Sequence, residues 1–322
     1  MSATRDRPSP GTAPDHWATI GEAGMSAGLW LLWFVHRTLG RWGFRVLMAP
    51  AVVWFVALRP VARHASIEYL TRVGVLSPAS GTLARWSAAI RHFQSFAETV
   101  LDKALVWGGR LDVRDAPAIV DPRFGADAAA GRGGVMLVAH HGNLEVLRAF
   151  GRRLPALRLN VLVHSANSVR FMRVLERLDP KATLDLLQVT QLDAAMASLL
   201  ADRVARGEWV VIAADRIPVT GGERTVEAPF LGRPAAFPIG PWVLARSVGG
   251  PVYWLSCTRH AGTYRFECRR FAERIELPRA SRAAAIGGYV ARYADLLEAQ
   301  CRDTPYQWYN FYPFWRASGD HS

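Results

Sequence analysis

Short apolar runs alternate with helix-forming stretches from about residue 111 onward, and this alternation limits the fold more than any other feature of the chain. Six runs are predicted strands, at 135–139, 159–163, 184–189, 209–213, 252–257 and 264–269. Helices fit between them near 143–153, 168–178, 192–206, 239–248 and 279–301. The pattern predicts an α/β domain over 111–318, in which a mixed, largely parallel sheet is flanked by helices.

Residues 16–110 precede this domain and include the most apolar part of the chain. Two runs, LWLLWFV at 29–35 and VLMAPAVVWFVAL at 46–58, are each shorter than the roughly 20 apolar residues that span a bilayer. Basic residues and Trp42 lie between them, a composition typical of a headgroup interface. We expect one or two membrane-associating helices broken near Pro50, with a buried helical hairpin as the alternative, and a further helical region over 62–108.

The chain carries 39 basic and 27 acidic residues, a formal charge of +12 that favours anionic partners. Its arginines are scattered among apolar residues and tryptophans, which favours an anionic membrane surface over nucleic acid. The three cysteines have no metal-type spacing, so we expect a reducing compartment without disulfides. Residues 1–15 are polar, resemble no signal peptide, and are expected to be disordered.

The sequence LVAHHGNLE places two histidines where a predicted strand becomes a helix. His140 and Glu145 can meet only if His140 precedes the helix and Glu145 lies in its first turn, because five helical steps turn the chain by about 140°. Glu145 would then hold one imidazole nitrogen and leave the other free as a general base. His141 is the competing base, and histidines that only fill a turn are the structural alternative. A metal site is disfavoured because HExxH spacing is missing.

The HHGNLE segment resembles the His-x4-acidic motif of the lysophospholipid acyltransferase superfamily, and is most similar to the bacterial lipid A late acyltransferase branch (lauroyl and myristoyl transferases). A second block agrees with that branch: Ala214-Asp215-Arg216, followed by GGERTVEAPFLGRPAAFPIGPWVLARSVGGPV. The resemblance covers about residues 30–316. It implies transfer of a fatty acyl group from acyl carrier protein or coenzyme A to a hydroxyl of a lipid or glycolipid, with no tightly bound cofactor.

Under this resemblance, His140 takes the proton of the hydroxyl and Glu145 orients the imidazole. The backbone N–H groups of 142–145 and four side chains are candidates for oxyanion stabilisation or acceptor binding: Asn143, Arg216, Asp215 and Arg224. An ion pair with Asp215 is the alternative for Arg216. Phe230 and Gly232 are candidates for an acyl groove or a turn. The aromatic residues of QWYNFYPFW, at 307–315, are expected in an acyl groove, at a bilayer interface or in the core.

The expected partners are an acidic acyl carrier protein, anionic membrane lipids and the lipid acceptor, and the expected location is the cytoplasmic side of the inner membrane. Two other functions stay open at this point. One is a thioesterase or lipid hydrolase that uses the same dyad on water, although no GxSxG nucleophile elbow is present. The other is a non-enzymatic, basic protein that binds the membrane surface.

Overall fold

The computed structural model describes residues 22–107, 111, 116–146, 157–163, 184–188, 194–217 and 225–315. Three helices come first: α1 (Glu22–Leu58), α2 (Pro60–Arg72) and α3 (Thr82–Trp107). Four more follow: α4 (Pro122–Ala129), α5 (Ala194–Ala205), α6 (Gly240–Val248) and α7 (Arg282–Asp303). The strands are β1 (Ala118–Val120), β2 (Gly134–Val138), β3 (Leu159–Val163), β4 (Leu184–Gln188), β5 (Trp209–Ala213), β6 (Thr225–Phe230), β7 (Arg233–Pro238), β8 (Val252–His260) and β9 (Thr263–Ala272).

Seven strands form one sheet in the order β1-β9-β8-β2-β5-β3-β4. All its neighbouring strands pair in parallel except β8 and β9, which form an antiparallel hairpin. The predicted mixed, largely parallel sheet is therefore confirmed. All six predicted strands are present, with ends that differ from the predicted bounds by at most three residues. The predicted helix at 168–178 lies outside the described residues.

The central strand β2 is buried on both faces, as expected for a sheet covered by helices. Val135 and Leu137 pack with α5, α6 and α7, whereas Met136 and Val138 pack with Phe124 of α4 on the opposite face. Successive side chains of a strand point to opposite faces, so a continuous apolar run fits this position. The apolar run of β2 thus fixes it in the middle of the fold.

The N-terminal helices pack against the α/β domain. Tyr69 and Leu70 of α2 belong to the same buried core as β2 and β5. The helical region predicted over 62–108 is divided into α2 and α3, and Gly74, between them, has a φ of 88° that favours glycine. The helices therefore form a layer on the sheet domain.

The prediction of a break near Pro50 is wrong. Pro50 lies inside α1, and the non-helical backbone is at Gly40, with φ 65° and ψ −167°. Glycine has no Cβ and adopts this left-handed φ without steric cost. By length and composition, the 19 residues Gly40–Leu58 are sufficient to cross a membrane, a test that core helices and signal sequences also pass.

A second, two-stranded sheet was not predicted. Strands β6 and β7 form an antiparallel hairpin with Thr225 opposite Pro238. The hairpin packs against α7, and Phe230 enters the main core. The position of the β6–β7 hairpin matters for the candidate site, because the hairpin holds the aromatic C-terminal segment against the main sheet.

Candidate active site

His140 and Asp215 lie at equivalent positions beyond two neighbouring strands. His140 is two residues past the end of β2, and Asp215 is two residues past the end of β5. The strands pair in parallel with Val138 opposite Ala213, and the N–H of Ala214 donates to the carbonyl of Val138 at 3.2 Å. Strand pairing therefore brings the two side chains together at the carboxyl edge of the sheet, where the functional groups of α/β folds collect.

The Asp215 carboxylate is buried and is surrounded by hydrogen-bond donors. Its Oδ1 lies 2.8 Å from Nδ1 of His140. Its Oδ2 accepts from the backbone N–H of His140 at 2.9 Å and from Nε1 of Trp308 at 3.1 Å. These contacts hold the carboxylate and the imidazole in one mutual orientation.

The charge state of Asp215 determines which ring nitrogen of His140 is basic. Burial alone would raise the pKa of Asp215, but the charge and hydrogen bonds of His140 and the charge of Arg216 hold this pKa well below its usual range. An ionised carboxylate only accepts hydrogen bonds, so Nδ1 carries the proton and Nε2 keeps its lone pair. The His140 side chain is 38% exposed, which leaves the ring accessible.

Glu145 was expected to hold the imidazole, but the carboxylate at Nδ1 is Asp215. The cause is the pairing of β2 with β5, which places Asp215 beside the ring. Glu145 lies in the first turn of a helix described from Leu144 to Val146, and it is partly buried. A catalytic role for His140 and Glu145 stays a prediction.

His141, the competing base, is buried in the fold. Its Nε2 lies 3.2 Å from the hydroxyl of Thr304, and burial lowers the pKa of its ring to about 4. A buried, neutral ring of this kind does not reach a substrate. The structure therefore separates the two adjacent histidines, with His140 exposed at the sheet edge and His141 turned inward.

The expected oxyanion donors at 142–145 are largely used by the fold. The N–H of Gly142 donates to the carbonyl of Gln307 and that of Asn143 to the carbonyl of Cys257, both at 2.8 Å. Asn143 is buried and caps the following helix, because its Oδ1 accepts from the N–H of Glu145 at 3.2 Å. Its amide nitrogen contacts Thr99 and Tyr264. Asn143 is thus held by contacts within the fold, and its role in oxyanion stabilisation or acceptor binding stays a prediction.

The glycine at 142 is required by its surroundings. Its φ is 72°, and a Cβ at this position would lie 2.0 Å from the carbonyl oxygen of Cys257. The turn after His140 therefore passes too close to β8 for any side chain.

Asp215 and Arg216 were both candidates for binding an oxyanion or the acceptor. The Asp215 carboxylate is buried and already accepts hydrogen bonds from His140 and Trp308, and its role in binding an oxyanion or the acceptor stays a prediction. Arg216 is partly exposed, donates to the carbonyl of Tyr309 at 2.7 Å, and lies 5.9 Å from the ring centre of Tyr312. It remains a candidate for both roles. Arg224 lies outside the described residues.

Phe230 and Gly232 have different positions. Gly232, with φ 81°, lies in the turn between β6 and β7, as the turn prediction required. Phe230 is fully buried, with its ring centre 5.3 Å from that of Trp308. Phe230 is therefore part of the core that supports the site, and its predicted role in an acyl groove has no support from this position.

The C-terminal segment contributes to the site in a way that the sequence did not indicate. Besides the Trp308–Asp215 bond, the N–H of Tyr309 donates to the carbonyl of His140 at 3.1 Å. The carbonyl of Trp308 lies 3.0 Å from Nε2 of buried His92, which connects the site to α3. The signal in the sequence was limited to the aromatic composition of this segment.

Comparison with known proteins identifies the family of this chain. Residues 123–317 match the family described as bacterial lipid A biosynthesis acyltransferase, and the matched segment includes both His140 and Asp215. No curated protein matches the chain. The match covers more than half of the chain and confirms the resemblance found in the sequence. The chain therefore belongs to the bacterial lipid A biosynthesis acyltransferase family and is an acyltransferase.

Proposed function

We propose that His140 is the general base of an O-acyltransferase that moves a fatty acyl group from a thioester to a hydroxyl of a lipid or glycolipid. The observation that carries this proposal is the bond between Nδ1 of His140 and buried Asp215, with the imidazole partly exposed. This hydrogen bond supports the assignment of Nε2 as the one basic nitrogen of the imidazole, at the edge of the sheet. Family membership supports the reaction class.

The reaction needs no enzyme nucleophile, because the acceptor oxygen attacks the thioester carbon itself. As the new C–O bond forms, the hydroxyl proton passes to Nε2 of His140. Collapse of the tetrahedral intermediate breaks the C–S bond, and the imidazolium returns the proton to the leaving sulfur. Asp215 stabilises the imidazolium between these steps, as the acid does in a Ser-His-Asp triad. General-base catalysis of this kind contributes roughly 10²- to 10⁴-fold.

The tetrahedral oxyanion also requires positive charge or N–H donors. Arg216 is our candidate because it follows Asp215 directly and its side chain is partly exposed. Glu145 is retained as a second acidic residue that acts on His140, since it lies in the helical turn that begins four residues after the histidine. The assignment of Glu145 is tested by substitution.

The proposed setting is the cytoplasmic surface of the inner membrane. Exposed apolar residues on α1 support contact with a membrane, including Trp42, which is 76% exposed, and Trp54, which is 66% exposed. The proposed donor is acyl carrier protein or coenzyme A carrying the acyl chain, used as a cosubstrate. Anionic membrane lipids and the acidic carrier protein suit a chain with a charge of +12.

The test is transfer of a labelled acyl group from each donor to extracted membrane lipids by the purified full-length protein. His140→Ala should lower the rate roughly 10²- to 10⁴-fold, and Glu145→Gln should lower kcat if the carboxylate acts on His140. His64→Ala, which removes an exposed histidine on α2, is the matched control and should keep the normal rate.

A folded His140→Ala protein with the normal rate would overturn the assignment of the base. Omission of the lipid acceptor tests the reaction class. An acyltransferase should release little free fatty acid without its acceptor, whereas full turnover on water would identify a thioesterase or hydrolase.

A further inference from the structure

A cavity of about 480 Å³ lies between α1, α3 and the end of the β8–β9 hairpin. Residues Thr304–Gln307, directly after α7, complete its wall. Four arginines line it: Arg41 and Arg45 of α1, Arg91 of α3 and Arg259 of β8. We name this cavity the arginine pocket.

Three of these arginines share two buried carboxylates of α3. Arg41 donates to Asp102 at 2.5 and 3.2 Å, and Arg45 donates to Glu98 at 2.5 and 3.1 Å. Arg259 contacts both carboxylates. The carboxylates fix the planes of the guanidinium groups without neutralising all their charge.

The fourth arginine, Arg91, has a different partner. Its guanidinium carbon lies 4.4 Å from the ring centre of Tyr306 and, among the described residues, contacts no carboxylate. Within the described part of the chain, four guanidinium groups against two carboxylates leave two positive charges around the pocket. A pocket with this excess favours a small dianion over a neutral or singly charged ligand.

An unused donor also lies in the wall. Gln94 lines the pocket, and its buried Nε2 has no hydrogen-bond partner within the described part of the chain. A buried amide donor without an acceptor is costly, so a ligand oxygen that the Gln94 amide reaches by a change of rotamer would relieve this cost. Arginine has five N–H donors, and those of Arg41 and Arg45 that are not used by the carboxylates add to this set, since both side chains are partly exposed.

We propose that the arginine pocket binds a phosphate group. A phosphate monoester carries a charge of about −1.5 to −2 at neutral pH and several acceptor oxygens, which matches the two excess charges and the free donors. Guanidinium groups bind phosphate through paired hydrogen bonds, and here they are already oriented by Glu98 and Asp102. Phosphate binding in this pocket requires none of the groups around His140.

The phosphate group bound in the pocket can belong to a lipid headgroup or to a soluble phosphate ester. The surroundings favour the lipid headgroup, because Trp42, Val46 and Leu47 of α1 are exposed beside Arg41 and Arg45. An apolar face next to a basic pocket is the arrangement expected at a membrane surface. The pocket would then hold the phosphate while the apolar face contacts acyl chains.

Two arms of one experiment distinguish these sources. Glycerol 3-phosphate is titrated into the full-length protein by calorimetry, and binding to phosphatidylcholine vesicles with and without phosphatidic acid is measured by flotation. Vesicles that contain oleate at the same surface charge control for non-specific attraction. We expect binding that requires the phosphate group in at least one arm, and the arm in which it occurs identifies the source.

The variants are chosen to keep the protein folded. Arg91→Gln should weaken phosphate binding roughly tenfold, since a hydrogen bond to a charged group is lost, and Gln94→Leu should weaken it by a smaller factor. The matched control is Arg292→Gln, which removes an exposed arginine that lies over Phe271, outside the pocket. The proposal is overturned if neither probe binds, if oleate vesicles bind as well as those with phosphatidic acid, or if Arg91→Gln behaves like Arg292→Gln.

Discussion

The imidazole of His140 and the carboxylate of Asp215 face each other because β2 and β5 are parallel neighbours that end at the same level. Seventy-five positions separate them in the sequence. Each extends two residues past its strand, so the hydrogen-bond pattern of the sheet itself sets their distance. Rigid strands therefore position the candidate base and its acid, and this is a more precise support than a loop provides.

Asp215→Asn should lower kcat by about 10²- to 10⁴-fold with little change in KM. An asparagine amide can donate to Nδ1, which moves the ring proton to Nε2 and removes the base. The measurement is steady-state acyl transfer, with thermal unfolding as a check on folding. Asp127→Asn, which alters a buried carboxylate beside Tyr253 and Arg270, should leave kcat unchanged. Equal kcat values for the Asp215 variant and the unmodified protein would refute the role of this carboxylate.

Gly142→Ala should destabilise the fold by about 3 kcal/mol or more, because it combines a positive φ with a backbone clash at Cys257. The free energy of unfolding from urea titration measures this loss. Gly287→Ala is the control: this glycine lies in α7 with open space around its Cβ position, so its substitution should stabilise the protein by about 0.5–1 kcal/mol. Similar effects of the two changes would contradict the close approach at residue 142.

Stability should fall as the pH drops from 6.5 towards 4. Burial lowers the pKa of His141 from 6.5 to about 4 and that of His92 to about 3, so in this range the unfolded chain binds protons that the folded chain does not. Each histidine should then cost about 2 kcal/mol of stability between pH 6.5 and pH 5. Urea unfolding over this range measures the slope.

His141→Gln isolates one part of this pH effect. Glutamine does not titrate, so the variant should show a shallower loss of stability with acid than the unmodified protein. An unchanged slope for His141→Gln would show that the ring is not buried in its neutral form.

Membrane attachment should depend on the exposed tryptophans of α1. Replacing Trp42 and Trp54 by serine should reduce flotation with anionic vesicles several-fold, because both rings are largely exposed in the protein and suit a bilayer interface. Replacing buried Trp254 would only test folding, so the exposed Leu83→Ser on α3 is the better control. Equal flotation of the double variant and the unmodified protein would place the membrane contact elsewhere.

The sequence predicted the central sheet well because its strands are short apolar runs with clear ends. It did not predict the β6–β7 hairpin, since Pro229 and Pro234 interrupt the usual strand pattern and are tolerated only because this sheet has two edge strands. The break in α1 was assigned to Pro50 although a glycine with positive φ makes it. The local pattern did not show that β6 would have β7 as a partner strand. Nor did it show that the backbone of α1 would become non-helical at a glycine.

The candidate site was predicted only in part, because the sequence shows local patterns and not which strands become neighbours. His140 stands out because two histidines follow an apolar strand, but its carboxylate partner was sought nearby, at Glu145. Asp215 was named as part of the second block and as a candidate for oxyanion or acceptor binding, but not as the partner of His140. That contact depends on the strand order, which the sequence does not display. The hydrogen bond from Trp308 to Asp215 depends on the path of the C-terminal aromatic segment, which the sequence does not display either.

The hydrogen bonds from Trp308 and Tyr309 tie the histidine turn to a segment almost 170 positions further along the chain. During synthesis, the edge of the sheet can therefore form well before the candidate base His140 and its partner Asp215 receive these last hydrogen bonds. A chain shortened before Gln307 would retain β2 and β5 but leave Asp215 without its indole donor. Catalytic competence should consequently appear late in folding, after the aromatic segment has docked on α3 and the hairpin.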